Sequence, residues 1–141
     1  MRALSITQPW ATLIIRGVKE VETRSWTTDI RGRIAIHASK NFPPDARDFA
    51  MEQVGYGRLH QGPIPCGAIL GTAELVRVSR TLNLAPEISP LERTLGDYSP
   101  GRWGFVFRNP VELAEPIPFK GLLGFWQVPE QIARLLMETT R

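Results

Sequence analysis

Residues 17–26 bring three kinds of reactive side chain together in one short segment, Gly-Val-Lys-Glu-Val-Glu-Thr-Arg-Ser-Trp. Its alternation predicts a strand with Glu22, Arg24 and Trp26 on one face, and Lys19 lies just after a predicted helix end. In such a cluster the amine could polarise a carbonyl, the carboxylate could move protons, and the guanidinium could hold an oxygen. The alternative interpretation is a row of surface ion pairs on an exposed strand, which contributes little energy.

Aromatic and polar residues outside this segment are candidates for binding a substrate. Trp10 and Trp26 could stack on a nucleobase because every base has a π-face, although tryptophan more often packs in a core. In the strand predicted for residues 33–39, His37 and Ser39 lie opposite the apolar face. There they either line a cavity, where His37 would contact a substrate, or meet water.

Glu74 is a further candidate for acid–base chemistry. In the strand predicted for residues 66–79, alternation places Glu74 on the same side as Leu70 and Thr72, facing inward. A carboxyl group on an apolar face has a raised pKa, which prepares it for proton transfer. A bulge at Gly71 would reverse this parity and leave Glu74 exposed.

The sequence predicts neither a metal nor a cofactor. Its two histidines, His37 and His60, take part in no His/Asp/Glu spacing typical of a metal site. Its one cysteine, Cys66, excludes an internal disulfide and a multi-cysteine metal site, and it fits a structural thiol better than a nucleophile. The sequence contains no glycine-rich phosphate-binding motif.

Short elements must position these candidates. The 141 residues suffice for one domain, 1–141, and the 12 glycines and 12 prolines favour short strands over a helical bundle. Hydrophobic periodicity predicts helices over 5–16, 43–54 and 129–140. It predicts strands over 18–26, 33–39, 66–79, 103–107, 111–113 and 124–128. Loops are predicted over 55–65 and over 80–101, and the loop over 80–101 is expected to contain one helical turn. The pattern predicts an α+β fold, a small barrel of about five or six strands decorated by about three helices.

Charge and hydropathy limit the classes of partner expected for this chain. The net charge is +3, from 17 basic and 14 acidic residues, and the basic residues are scattered rather than clustered as in dedicated duplex-binding proteins. No apolar run is long enough to span a membrane, and the first residues lack the apolar core of a signal peptide. We therefore expect a cytoplasmic protein that contacts no membrane and has no evident obligate protein partner.

Three sets of motif residues extend along nearly the whole chain. The first is Ser5-Ile6-x-Gln8-Pro9-Trp10-Ala11-x-Leu13-Ile14, followed by Gly17-x-Lys19-x-x-Glu22-x-Arg24-x-Trp26. The second is Arg31-Gly32-x-Ile34-x-Ile36-His37-Ala38-Ser39-Lys40. The third is Ile117-Pro118-x-Lys120-Gly121-x-x-Gly124-x-Trp126-x-Val128. Together they resemble the ASCH domain family (activating signal cointegrator homology).

This resemblance implies a PUA-like β-barrel, with helices covering one side and a cleft lined by the lysine–glutamate–arginine segment. Within that fold we expect six side chains to line one concavity: Gln8, Trp10, Lys19, Glu22, Arg24 and Trp26.

The family's functions differ more than its fold. Some members are proposed RNA-binding modules, and one bacterial branch comprises amidohydrolases that remove the acyl group from N4-acetylcytidine with a lysine, a threonine and a glutamate. The resemblance places Lys19 at the lysine of that branch. Glu22 stands at the threonine position, with Thr23 beside it expected to face the other way. Three residues are candidates for the remaining glutamate: Glu74, Glu87 and Glu92.

The first functional expectation is a metal-independent amidohydrolase that acts on the exocyclic amide of a modified cytosine nucleoside. Glu22 would activate water, Lys19 would stabilise the oxyanion, and Arg24 would orient Glu22 or hold the pyrimidine carbonyl. An acyl-enzyme on Thr23 or Ser39 stays open. A chain that consists of the domain alone, with modest charge, favours a small substrate over a long polyanion.

The second functional expectation is a non-catalytic module that binds RNA or a modified base. The same pocket would grip a flipped or terminal base, while Arg31, Arg33 and Lys40 would contact phosphates. Phosphate contacts make affinity fall steeply with salt, whereas nucleoside turnover is nearly salt-insensitive, so salt dependence separates the two expectations.

Overall fold

Six strands form one sheet in the computed structural model, which describes residues 1–54 and 64–139. The strands are β1 (Arg2–Ile6), β2 (Val21–Arg24), β3 (Gly32–Ala38), β4 (Ala68–Arg80), β5 (Trp103–Pro118) and β6 (Phe125–Gln127). Their order is β2-β5-β4-β3-β1-β6. The β1–β3 pair is parallel, and the other pairs are antiparallel.

The sheet curls into a half-barrel. β4 and β5 have 13 and 16 residues, and their pairing contains three register shifts, which bend a strand and increase its twist. Although three strands separate β2 from β1 in the sheet, Arg24 Nη2 donates a hydrogen bond to the backbone oxygen of Ser5 at 2.8 Å. The ring centroids of Trp26 and Phe125 lie 5.8 Å apart. Curling therefore brings the two edges of the sheet together.

Five α-helices cover this sheet within the described ranges: α1 (Trp10–Ile15), α2 (Pro44–Val54), α3 (Thr81–Leu84), α4 (Pro90–Thr94) and α5 (Glu130–Thr139). A 3-10 turn, Ala85–Glu87, follows α3. Helix α1 fills the half-barrel, since all of its residues after the first are buried. The Oγ of Ser89 accepts a hydrogen bond from the backbone N–H of Glu92 and so begins α4.

The core has a layer on each face of the sheet. Ile34 and Ile36 of β3 pack in the cluster that includes α1, whereas Ala35 packs in the cluster that includes α5. This division follows the period of two of a strand. None of the helices in residues 1–54 and 64–139 has the length and apolar character that crossing a bilayer requires.

The structure confirms the α+β fold class and corrects several element boundaries. Strand β1 was not predicted, because the first residues were joined to the helix that follows them. β5 is continuous where two strands were predicted, and Asn109, with φ of 51°, lies at the predicted break. Residues 80–101 contain α3, the 3-10 turn and α4 rather than one helical turn. Most of the loop predicted for 55–65 lies outside the described residues.

Candidate functional site

A cleft of about 580 Å³ opens beside β2. Five of the residues singled out from the sequence line it: Trp10, Glu22, Thr23, Arg24 and Ser39. Strand β2 contributes three of them; it is an edge strand, so no other strand pairs with it on one side. Helix α2 and the turn after α4 complete the walls.

A carboxylate–guanidinium pair lines this cleft. Glu22 Oε2 accepts hydrogen bonds from Arg24 Nε at 3.1 Å and from Arg24 Nη2 at 2.9 Å. Because Nη2 also donates to the Ser5 backbone oxygen, Arg24 is held from two sides. Both bonds to the carboxylate reach the same oxygen, and no described residue donates a hydrogen bond to Glu22 Oε1. The pair therefore offers a ligand one fixed acceptor beside the Nη1 donors of Arg24.

Lys19 lies outside the lining of this cleft, which corrects the expectation that its amine would line it. Its side chain is only 1% exposed, and Nζ donates a hydrogen bond to the backbone oxygen of Val21. Nζ also lies 3.8 Å from Glu92 Oε2. Burial lowers the pKa of Lys19, although the charges of Glu22 and Glu92 oppose this shift. Lys19 thus forms a buried electrostatic link between two carboxylates.

Glu92 is the glutamate that the fold brings to Lys19. Its Oε1 accepts a hydrogen bond from the backbone N–H of Glu20, while Oε2 is buried without a hydrogen-bond partner. Burial raises the pKa of Glu92, and the charge of Lys19 opposes the rise. Glu92 faces a different cleft of about 500 Å³ rather than the cleft beside β2.

The other two candidate glutamates form surface ion pairs. Glu87 Oε2 lies 3.0 Å from Arg77 Nη1, and both side chains are about half exposed. Glu74 Oε1 lies 3.0 Å from Arg33 Nη2, with the Glu74 side chain 39% exposed. The register shift around Gly71 confirms the predicted bulge, and Glu74 faces outward as that alternative required. Neither glutamate lines the cleft beside β2.

Gln8 and Trp26 shape the barrel instead of lining the cleft. Gln8 is fully buried; its Oε1 accepts from the backbone N–H of Thr12 at 3.0 Å, and its Nε2 donates to the Pro65 backbone oxygen at 2.7 Å. Gln8 thereby fastens the start of α1. Trp26 packs edge-on against Phe105, with ring centroids 5.2 Å apart, and so helps to close the curled sheet.

His37 and Ser5 form a buried hydrogen-bond cluster next to the cleft. His37 Nε2 lies 2.8 Å from the Phe119 backbone oxygen and Nδ1 lies 3.1 Å from Ser5 Oγ. Ser5 Oγ also accepts from Trp126 Nε1 and lies 2.7 Å from the Leu122 backbone oxygen. Burial lowers the pKa of His37. The cluster fastens the loop between β5 and β6 to the sheet.

The cleft residues that sequence reasoning missed include Phe49, Asp97, Arg102 and Leu123. Phe49 packs edge-on against Trp10 with ring centroids 6.2 Å apart, so two aromatic rings lie on one wall. Asp97 and Arg102 belong to the long excursion of residues 80–101 and its end, whose length was their only signal. Across residues 1–54 and 64–139, no three His, Cys, Asp or Glu side chains are grouped to hold a metal ion.

Comparisons with known proteins agree with this architecture. The ASCH domain family model matches residues 4–114. Activating signal cointegrator 1 of Homo sapiens and that of Mus musculus are each 30% identical over 135 residues, 92% of this chain. The chain spans only 22% of the length of these relatives.

Solved structures show the same fold. A crystal structure of ASCH from Zymomonas mobilis has a TM-score of 0.61 at 16% identity and covers 99% of this chain and 95% of its own. A mutant form of that protein has a TM-score of 0.60 at 17% identity, with 99% of this chain and 96% of its own covered. The chain therefore belongs to the ASCH domain family and has its PUA-like fold.

Proposed function

We propose that the cleft beside β2 binds a single cytosine-type base of RNA. The observation that carries this proposal is the Glu22–Arg24 pair, which lines the cleft and combines guanidinium donors with a carboxylate oxygen, Oε1, that accepts no hydrogen bond from a described residue. Cytosine carries an N4 amino donor beside its N3 and O2 acceptors. A glutamate accepts from N4, and an arginine donates to the neighbouring acceptors.

The same geometry disfavours uracil. Uracil has an acceptor, O4, where cytosine has its amino group, and a carboxylate oxygen repels it. Trp10 and Phe49 on one wall provide rings against which a base can stack. The RNA-binding role proposed for some members of the family and the largely buried position of the pair support a base, rather than a bare anion, as the ligand.

Glu22→Gln tests this function. Wild type should bind cytidine about tenfold or more tightly than uridine, the discrimination of one good hydrogen-bonded pair. The amide keeps the size of the side chain but removes its charge and adds a donor, so the preference for cytidine should fall severalfold. Titration calorimetry with both nucleosides measures this preference for cytidine over uridine. Glu87→Gln, the same substitution in an exposed pair away from the cleft, is the control. Equal binding of the two nucleosides by wild type would refute the proposal.

A second candidate function is hydrolysis of an N4-acylcytidine in the same cleft. Buried Lys19 favours it, because a lysine near two carboxylates whose pKa is lowered by burial is typical of functional sites. Water would add to the acyl carbon, the bond to N4 would break, and cytidine and a carboxylic acid would leave. Glu22 would take a proton from the attacking water and deliver it to N4 as the bond breaks, and Lys19 would act on Glu22 through its charge.

Incubation with a panel of N4-acylcytidines tests this second candidate. The expected result is release of cytidine by wild type, unchanged by a chelator, and a loss of kcat of about 100-fold or more in Glu22→Gln, the effect of removing a general base. Release no faster than in buffer, by a protein that still prefers cytidine over uridine, would leave binding as the function of the cleft.

A further inference from the structure

A second cleft of about 790 Å³ adjoins the cleft beside β2. We call it the lysine cleft. The two share four lining residues: Ser5, Thr7, Ser39 and Leu123. The two clefts therefore meet at these four residues. A ligand longer than one nucleoside can therefore occupy both.

The lysine cleft is cationic. The chain has three lysines; Lys19 is buried, and Lys40 and Lys120 both line this cleft. The ion pairs of the described residues use Lys19 and seven arginines, but neither Lys40 nor Lys120. Among the described residues that line the lysine cleft there is no aspartate or glutamate. The charge of the two lysines is thus left for an anion.

An exposed leucine stands where the two clefts meet. The loop after β5 is fastened at three backbone oxygens: Phe119 bonds His37, Leu122 bonds Ser5 Oγ, and Gly124 bonds the Ser5 backbone N–H. Between the last two anchors, Leu123 is 98% exposed. The fold holds the backbone of this loop in place and leaves the apolar side chain free to contact a ligand.

We propose that the two clefts bind successive nucleotides of one RNA strand. The cytosine-type base lies in the cleft beside β2, its phosphate contacts Lys40 and Lys120 in the lysine cleft, and Leu123 packs between that base and its neighbour. Apolar side chains that enter a base step act in this way in other nucleic-acid complexes. This inference rests on the proposed base-binding function and extends it from a nucleoside to a strand.

The sequence predicts that Arg31, Arg33 and Lys40 contact phosphates, but only one of the three is placed for this contact. Lys40 lines the lysine cleft. Arg33 is engaged by Glu74 and Thr72, and Arg31 donates to backbone oxygens of its own turn. Lys120, which sequence reasoning did not assign to phosphate, takes their place.

The test compares cytidine with the single-stranded pentanucleotide UUCUU between 50 and 200 mM salt. Wild type should bind UUCUU at least tenfold more tightly than cytidine at 50 mM salt. The logarithm of affinity should fall with the logarithm of salt with a slope of about −0.7, for one neutralised phosphate on a single strand. The double variant Lys40→Ala/Lys120→Ala should lose the slope and the added affinity but bind cytidine as wild type does. Arg134→Ala, an exposed cation on α5 outside both clefts, is the control.

Leu123→Ala provides an independent measurement. It should weaken UUCUU binding by about tenfold, the effect of withholding one leucine from an apolar contact, and leave the salt slope unchanged. If wild type binds cytidine but UUCUU no more tightly, or if the lysine variant keeps the slope, the strand inference is wrong and base binding stands. If UUUUU binds as tightly as UUCUU and cytidine does not bind, both proposals are wrong.

Discussion

Breaking the buried Lys19–Glu92 pair from the lysine side should strongly destabilise the fold. Lys19→Met keeps a long apolar stem but removes the charge that lies 3.8 Å from Glu92 Oε2. The Glu92 carboxylate, with its side chain 9% exposed, would then remain buried without its cation. Removing one partner of a buried pair costs about 3–5 kcal/mol. For a domain of this size we expect the Tm to fall by roughly 10–17 °C.

The stability that Lys19→Met loses should increase as the pH rises. Burial raises the pKa of Glu92 and Lys19 opposes this, so removing Lys19 raises that pKa further. The folded variant then binds a proton that the unfolded chain, with its ordinary glutamate pKa of 4.5, has already released. Stability of Lys19→Met therefore falls as pH rises through this window, and the substitution should be more harmful at pH 8 than at pH 5.

Urea denaturation followed by tryptophan fluorescence measures these effects. Lys19→Met, Glu92→Gln and the double variant should form a non-additive cycle, in which the double variant is more stable than the sum of the single losses predicts. Arg77→Met, in an exposed pair with Glu87, is the control and should cost no more than about 1 kcal/mol. A loss in Lys19→Met no larger than in this control, or strictly additive losses, would refute the reasoning.

Two further predictions concern the cluster around His37. Because burial lowers the pKa of His37, this histidine takes up a proton in the unfolded chain before it does so in the folded protein as pH falls below 6.5. The Tm of wild type should therefore fall more between pH 6.5 and pH 5 than the Tm of His37→Gln. Parallel Tm profiles for the two proteins would contradict this prediction. Gly121→Ala would place a Cβ 2.5 Å from His37 Cε1 and 2.9 Å from Ser5 Oγ. The Tm of this variant should therefore be roughly 3–10 °C lower than that of wild type. An unchanged Tm would show that the loop moves to accommodate the Cβ without a loss of stability.

Strand periodicity predicted the part of the site that lies on one strand. Glu22 and Arg24 were placed on the same face because they are two residues apart, and the structure joins them by hydrogen bonds in one cleft. The same rule separated Ile34 and Ile36 from Ala35 across the sheet. Local patterns such as these depend only on neighbours in sequence.

The depth of Lys19 could not be predicted in this way. Lys19 lies in the turn before β2, where no period applies, and its burial depends on Glu92, which α4 brings from a distant part of the chain. The exposure of Leu123 likewise follows from how His37 and Ser5 fasten its loop. Such positions are fixed by long-range contacts that one sequence does not reveal.

The pairing of β2 with β5 should make strand β2 intolerant of deletions. Glu22 lies opposite Phe105, and Thr23 lies opposite Gly104, where a Cβ would meet Leu84 and Val21. Deleting one residue within β2 would turn every following side chain to the opposite face, so that Glu22 and Arg24 would exchange faces with their neighbours. Single-residue deletions anywhere in 21–24 should therefore abolish ligand binding, even at positions where substitutions are harmless. Deletions in the segment 27–31, which belongs to no strand, should be tolerated.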